Sequence, residues 1–99
     1  MTLQIRTKNI ELTPSLRDYA EKRFSKLDRF SKNIIHSELM LEELRGQYLG
    51  ELIVKVKGKT LKVKSTNKDP MALVDELKDT MAVNLKNYEG RLKNHHQGE

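Results

Sequence analysis

Six lysines, Lys55, Lys57, Lys59, Lys62, Lys64 and Lys68, fall between positions 52 and 68 with no acid among them. Ammonium groups at this density neutralise anions, and a concentrated basic patch suits a polyanion such as nucleic acid. The competing reading is that lysines on an exposed strand only discourage edge pairing. A second basic stripe, Lys22, Lys26 and Arg29, follows i, i+4, i+7 spacing, which puts all three on one helix flank. Asp18, Glu21 and Asp28 take the opposite flank, so an ordinary solvated face explains this stripe equally well. Arg23 is odder, because it falls within the apolar arc between Tyr19 and Leu27. Its stem must cover apolar surface while its head snorkels to water, or lies along the sheet edge free for a partner.

Catalytic chemistry finds few materials. There is no cysteine, which removes disulfides, thiolate nucleophiles and zinc–sulfur sites. The histidines are His36 on a strand and His95 and His96 near the C-terminus. Two adjacent tail histidines make a weak metal site, and a solvated tail is the plainer reading. Gly58-Lys59-Thr60 matches the end of a phosphate-binding loop, but Ile53 stands where that motif needs glycine, and a strand follows instead of a helix. The carboxylates lie mostly on helix surfaces. No enzyme activity, metal or cofactor is expected.

The net charge of +5 over 99 residues is modest until it is located. Residues 52–68 carry +6, which leaves −1 for everything else. One domain fills this length. No apolar run approaches the ~20 residues of a membrane span, and Arg6 and Lys8 interrupt any leader-like segment at the N-terminus. A cytoplasmic protein is expected.

These residues need elements to hold them. Residues 2–8 alternate as a strand, with Leu3, Ile5 and Thr7 on one side. Thr13-Pro14 starts a helix, Thr13 as N-cap and Pro14 in the first turn. Leu16, Ala20, Phe24 and Leu27 form its apolar face, and it ends near residue 30. Residues 34–43 alternate again, with Ile35, Ser37, Leu39 and Leu41 together. Residues 45–47 read as a loop. Strands follow at 50–57, with Leu52, Val54 and Val56 inward, and at 60–66, with Leu61 and Val63 inward. Gly58-Lys59 between them reads as a two-residue turn. That turn places Lys55 opposite Lys62, a repulsion that a bound phosphate would relieve. Asp69-Pro70 opens a last helix with the stripe Leu73, Val74, Leu77, Met81, Leu85, Tyr88 and Leu92. It is expected to end near Lys93, followed by a frayed tail over 94–99.

The order β-α-β-β-β-α, with one apolar face per element, predicts an α+β fold in two layers. A four-stranded mixed sheet carries both helices on one face and leaves the other open. Tyr19, Phe24, Phe30 and Tyr88 sit at core positions, and only Tyr48 is expected to be exposed, in a loop. Base stacking on aromatic platforms is therefore not expected, and backbone and shape recognition of folded RNA is the better fit.

Over nearly its whole length the chain resembles the short-form ribosome hibernation promoting factors, related to ribosome-associated inhibitor A and also called sigma-54 modulation proteins. The resemblance rests on Ile5 with Asn9-Ile10-Glu11-Leu12-Thr13, Leu16-Arg17, and Arg23-Phe24-x-Lys26-Leu27. It continues in Asp69, Met71-Ala72-Leu73-Val74-Asp75, Leu77, Asn84-Leu85 and Arg91-Leu92-Lys93. It implies a fold similar to double-stranded RNA-binding domains, with residues 1–93 as the ribosome-binding domain. It implies binding to small-subunit rRNA, and to neighbouring ribosomal proteins, over the tRNA and mRNA sites of the decoding region. Translation is then blocked and ribosomes pair into inactive dimers with ribosome modulation factor, in stationary phase or stress. The factor itself is expected to be monomeric when free, and no membrane is involved. The chain stops soon after its last helix, which favours the dimer-promoting short form over the paralogue that stabilises inactive monomeric ribosomes. A free double-stranded RNA-binding module is the other alternative.

Arg23 and Lys26 match basic positions of the family, and Lys86, Arg91 and Lys93 do so on the last helix. With Lys22, Arg29, Lys55, Lys57, Lys62 and Lys64 they make the expected rRNA-binding set. Thr80 and Val83 depart from the family, which often has basic residues there, and residues 69–93 hold five acids against four bases.

Overall fold

Both expected helix starts are built as their residues dictate. Thr13 Oγ1 accepts the amide of Leu16 at 3.2 Å, and Pro14 opens α1, Pro14–Ser25. Asp69 Oδ1 accepts the amide of Met71 at 3.0 Å, ahead of α2, Pro70–Gln97. The computed structural model describes the backbone of residues 3–97 and side chains through Arg91. The remaining elements are β1 (Leu3–Lys8), β2 (Ile34–Leu44), β3 (Gln47–Val56) and β4 (Lys59–Asn67). A short 3₁₀ turn, Lys26–Arg29, extends α1. α2 runs past the Lys93 end expected for it; the side chains of Leu92, Lys93, His95 and His96 and the end of the expected tail lie outside the described residues.

The sheet order is β1-β2-β3-β4, with β1 parallel to β2 and the other pairs antiparallel. α1 fills the crossover between β1 and β2, as a parallel pair requires. Both helices cover one face. Ile5, Leu39, Leu52 and Val63 stand side by side across it in register. Leu16, Ala20 and Phe24 of α1 and Leu73, Leu77, Met81 and Leu85 of α2 bury them. Each fully buried Leu or Phe contributes about 1.5–3 kcal/mol. Gly50 is where β3 passes closest to α2: a Cβ there would lie 2.8 Å from Leu77 Cδ1 and 3.0 Å from Leu73 Cδ2.

Three sequence expectations are corrected. The β3–β4 turn is Lys57-Gly58, with Gly58 at φ +81°, so Val56 pairs with Lys59. Lys55 therefore faces Thr60, Lys62 faces Ile53 and Lys64 faces Glu51. The expected Lys55–Lys62 pair does not form, and the repulsion argument built on it falls. On β2, a bulge between Ile34 and His36 shifts the alternation. Ile34 packs against the core and Ile35 is left 61% exposed. Tyr48 is not in a loop: the turn is only Arg45-Gly46, both at positive φ as a type I′ hairpin needs. Tyr48 lies on β3 and packs against the core.

Candidate nucleic-acid interface

The expected cations fall on three parts of the molecule. Lys55, Lys62 and Lys64 are exposed on the open face of the sheet, the side opposite the helices. That face is not uniformly basic. Arg6 pairs with Glu38 at 3.4 Å, Lys8 with Glu42 at 4.0 Å, and Lys64 stands across from Glu51. A concavity of about 490 Å³ lies over β1–β4, with Met40 and Leu49 among its lining residues. On this side Lys55 and Lys62, unlike Lys64, have no acid across from them.

Arg23 is not free at the sheet edge. Its guanidinium lies 5.0 Å from the centroid of the Tyr19 ring and its Nε is 3.4 Å from Asp75 Oδ1. The Tyr19 hydroxyl donates to the same carboxylate at 2.9 Å. Tyr19, Arg23 and Asp75 thus tie α1 to α2, and Arg23 offers an anion only what that arrangement leaves exposed. No pattern in the sequence could show this, because Asp75 is distant in the chain.

The largest gathering of positive charge is at one end of the molecule. The β3–β4 turn, the end of α1 with its following loop, and the C-terminal half of α2 all meet there. Tyr88 Oη donates to the Lys57 carbonyl at 2.7 Å. The Lys57 amide donates to the Asn33 carbonyl at 3.2 Å. Ser31 Oγ and Asn33 Nδ2 donate to Glu89 at 2.5 and 3.0 Å. Lys86 Nζ stands 5.0 Å from the centroid of the Phe30 ring, a cation–π contact. Lys26, Arg29, Lys32, Lys57, Lys59, Lys86 and Arg91 are all exposed at this pole. Asp28 and Glu89 are the acids among them, and Glu89 is held by Ser31 and Asn33. Lys22 is one helical turn back along α1, and Lys93 lies outside the described side chains.

Lys32 and Lys59 were not in the set expected from the sequence. Lys32 has no periodic neighbours to mark it; only the contacts of Ser31 and Asn33 with α2 bring it here. Among the described residues the opposite end of the molecule holds Glu11, Asp18, Glu42, Glu43, Asp69 and Glu76, with Lys8, Arg17, Arg45 and Lys68 as its cations. On the outer side of α2, Val83 is 55% exposed and Thr80 is exposed, with Glu76 and Asp79 exposed beside them, so these two positions add no cation.

None of the five aromatic rings is exposed. Tyr19 and Phe30 already face cations of the chain itself. The pole can neutralise phosphates but has no ring on which to stack a base. Among the described residues no group of three metal-ligating side chains comes together, and no helix is long and apolar enough to cross a membrane.

The sequence profile of the sigma 54 modulation protein / S30EA ribosomal protein family matches residues 3–93. The chain belongs to that family. It is 30% identical to the ribosome hibernation promoting factor of Klebsiella oxytoca over 95 residues, which cover 96% of this chain and all of the relative. Against the Escherichia coli K12 protein of the same name the identity is 26% over the same coverage. The fold is similar to the N-terminal domain of Protein Y from Thermus thermophilus, with a TM-score of 0.83 and 25% identity, covering 89% of this chain and 99% of that one. It is also similar to a ribosomal subunit interface protein from Coxiella burnetii, with a TM-score of 0.81 and 22% identity, covering 91% and 99%. The α+β architecture is thus that of the family, and three of the four relatives named carry names that refer to the ribosome.

Proposed function

We propose that this chain is a ribosome hibernation factor that binds the small subunit through rRNA phosphates at the decoding region. The observation that carries the reading is the basic pole, formed by three separate segments and nearly free of competing acids. In this reading Lys26, Arg29, Lys57, Lys86 and Arg91 contact phosphates, joined by Lys32 and Lys59. Lys22, Lys55 and Lys62 widen the footprint. Arg23, Lys64 and Lys93 stay in the proposed set, with Arg23 and Lys64 the weaker contacts because Asp75 and Glu51 stand beside them.

Occupying the tRNA and mRNA sites would inhibit translation by exclusion, with no catalytic step. The chain acts in the cytoplasm on the ribosome, as a monomer until bound. It promotes inactive ribosome dimers together with ribosome modulation factor. Thr80 and Val83 put no cation on the outer side of α2, where Glu76 and Asp79 are exposed, so in this protein contact shifts toward the pole and the hairpin.

Sedimentation of stationary-phase ribosomes, with and without the gene, tests the proposal. The dimer peak is expected to disappear on deletion and return when the purified chain is added. An unchanged profile overturns the dimer-promoting role. Equal binding to isolated small subunits and to an unrelated RNA duplex would overturn ribosome specificity and leave a general double-stranded RNA binder.

A further inference from the structure

One cleft at the pole differs from the surrounding surface in its chemistry. It lies between the free edge of β4 and the C-terminal half of α2, with a volume of about 260 Å³. Lys59, Thr60 and Lys62 line it from the strand, Thr60 and Lys62 turning their side chains to the open face, and Asn84, Asn87 and Arg91 line it from the helix. No carboxylate lines it. Asn84, Asn87 and Arg91 recur at i, i+3 and i+7, so they form one stripe along α2. Tyr88 and Leu61 complete the lining, both buried, and the Tyr88 hydroxyl is bound to the Lys57 carbonyl. That bond fixes the helix to the hairpin and so fixes the width of the cleft.

The mixture of groups is specific. Cations alone suit any polyanion, but two carboxamides add both donors and acceptors beside them. Among the described residues neither carboxamide has a hydrogen-bond partner within the protein. A phosphate next to a hydroxyl that both donates and accepts would satisfy this combination. A ribose–phosphate step of RNA presents that pair, and the deoxyribose of DNA lacks the 2′-hydroxyl. We propose that the cleft seats one ribose–phosphate step of an RNA strand, with Lys59 and Arg91 on phosphate and Asn84 and Asn87 on the 2′-hydroxyl. The inference rests on the RNA-binding reading above and adds to it a means of telling RNA from DNA.

The full chain is titrated with an RNA hairpin and with the DNA hairpin of the same sequence, across a salt series, and separately with isolated small subunits. The unaltered chain should favour RNA. Replacing both asparagines (Asn84→Ala, Asn87→Ala) should cut RNA affinity about 10-fold, the worth of one or two hydrogen bonds, and leave DNA affinity and the salt slope unchanged. Replacing Lys59 and Arg91 with alanine should weaken RNA and DNA alike and lower the slope by about 1.4–1.8. Asn87→Ala alone, at an exposed position, gives a second reading should the double variant fold poorly; it should shift the RNA-to-DNA ratio in the same direction. If the unaltered chain binds RNA and small subunits but the asparagine variants keep its RNA-to-DNA ratio, the cleft assignment is overturned and the RNA reading stands. If the unaltered chain binds neither RNA nor subunits, the RNA reading itself is overturned. A lysine–arginine variant with unchanged affinity and slope would mean the cations only guard the β4 edge, which also overturns the assignment.

Discussion

Replacing Lys26, Arg29 and Lys57 with alanine removes three cations from the pole, one from each of three positions around it. All three are exposed, and the Lys57 carbonyl and amide that hold the hairpin belong to the backbone. The fold should therefore be unaffected. Three phosphates released from contact lower the slope of log affinity against log salt by about 2.1–2.7. With equal binding at 1 M salt, that difference is a loss of about 100- to 500-fold at 0.1 M. The matched control removes the same net charge elsewhere: Arg6, Lys8 and Arg17, which pair with Glu38, Glu42 and Glu21 at 3.4, 4.0 and 3.7 Å. Screening over about 10 Å at 0.1 M salt keeps these positions from acting on a ligand at the pole. The control should change the slope by less than about 1. The assay is binding of labelled protein to small subunits across a salt series, with thermal melting of each variant alongside. Equal losses from the two triple variants would refute the reasoning, since net charge and not its placement would then govern binding.

Three further outcomes test the parts that hold the pole in place. Gly50→Ala forces a methyl against Leu77 and Leu73, and overpacking of this kind costs about 1–3 kcal/mol. At roughly 4–8 °C per kcal/mol for a domain this size, the drop should be plain in a thermal melt. An unchanged midpoint would mean α2 shifts away without cost. Tyr88→Phe removes the 2.7 Å bond to the Lys57 carbonyl and should cost about 0.5–1.5 kcal/mol. Hydrogen exchange should quicken in the β3–β4 turn, and unaltered protection there would count against the hydroxyl as its anchor. Asp75→Asn removes the charge beside Arg23 and weakens its link to Tyr19. Because the pair is partly exposed, the stability loss should stay near or below about 1 kcal/mol, while subunit binding rises slightly as Arg23 is released. A fall in binding would show that Asp75 positions Arg23 for the ligand.

Strand and helix identities were readable because alternation and 3.6-residue periodicity are strong here, and Thr13-Pro14 and Asp69-Pro70 mark both helix starts. The register of the hairpin was not. Moving the turn from Gly58-Lys59 to Lys57-Gly58 slides the pairing by two residues, so every side chain keeps its face. Hydrophobic alternation cannot distinguish the two arrangements; only the backbone conformation of Gly58 does. The β2 bulge hid for a related reason, since adjacent Ile34 and Ile35 are equally apolar and either could face inward. The lysine stripe of the hairpin was visible in the sequence. Its neighbours at the pole were not, because Lys32, Lys86 and Arg91 reach it through Glu89, Phe30 and Tyr88, contacts between segments far apart in the chain.

The separation of charge between the two ends also bears on how fast a complex forms. A basic pole opposite a mildly acidic end gives the molecule an electric dipole along its strands and helices. In the field of a large polyanion such a dipole is turned before contact, so the pole leads and the acidic end trails. Fewer collisions are then wasted on wrong orientations. The arrangement therefore favours rapid binding even where the final contacts are few.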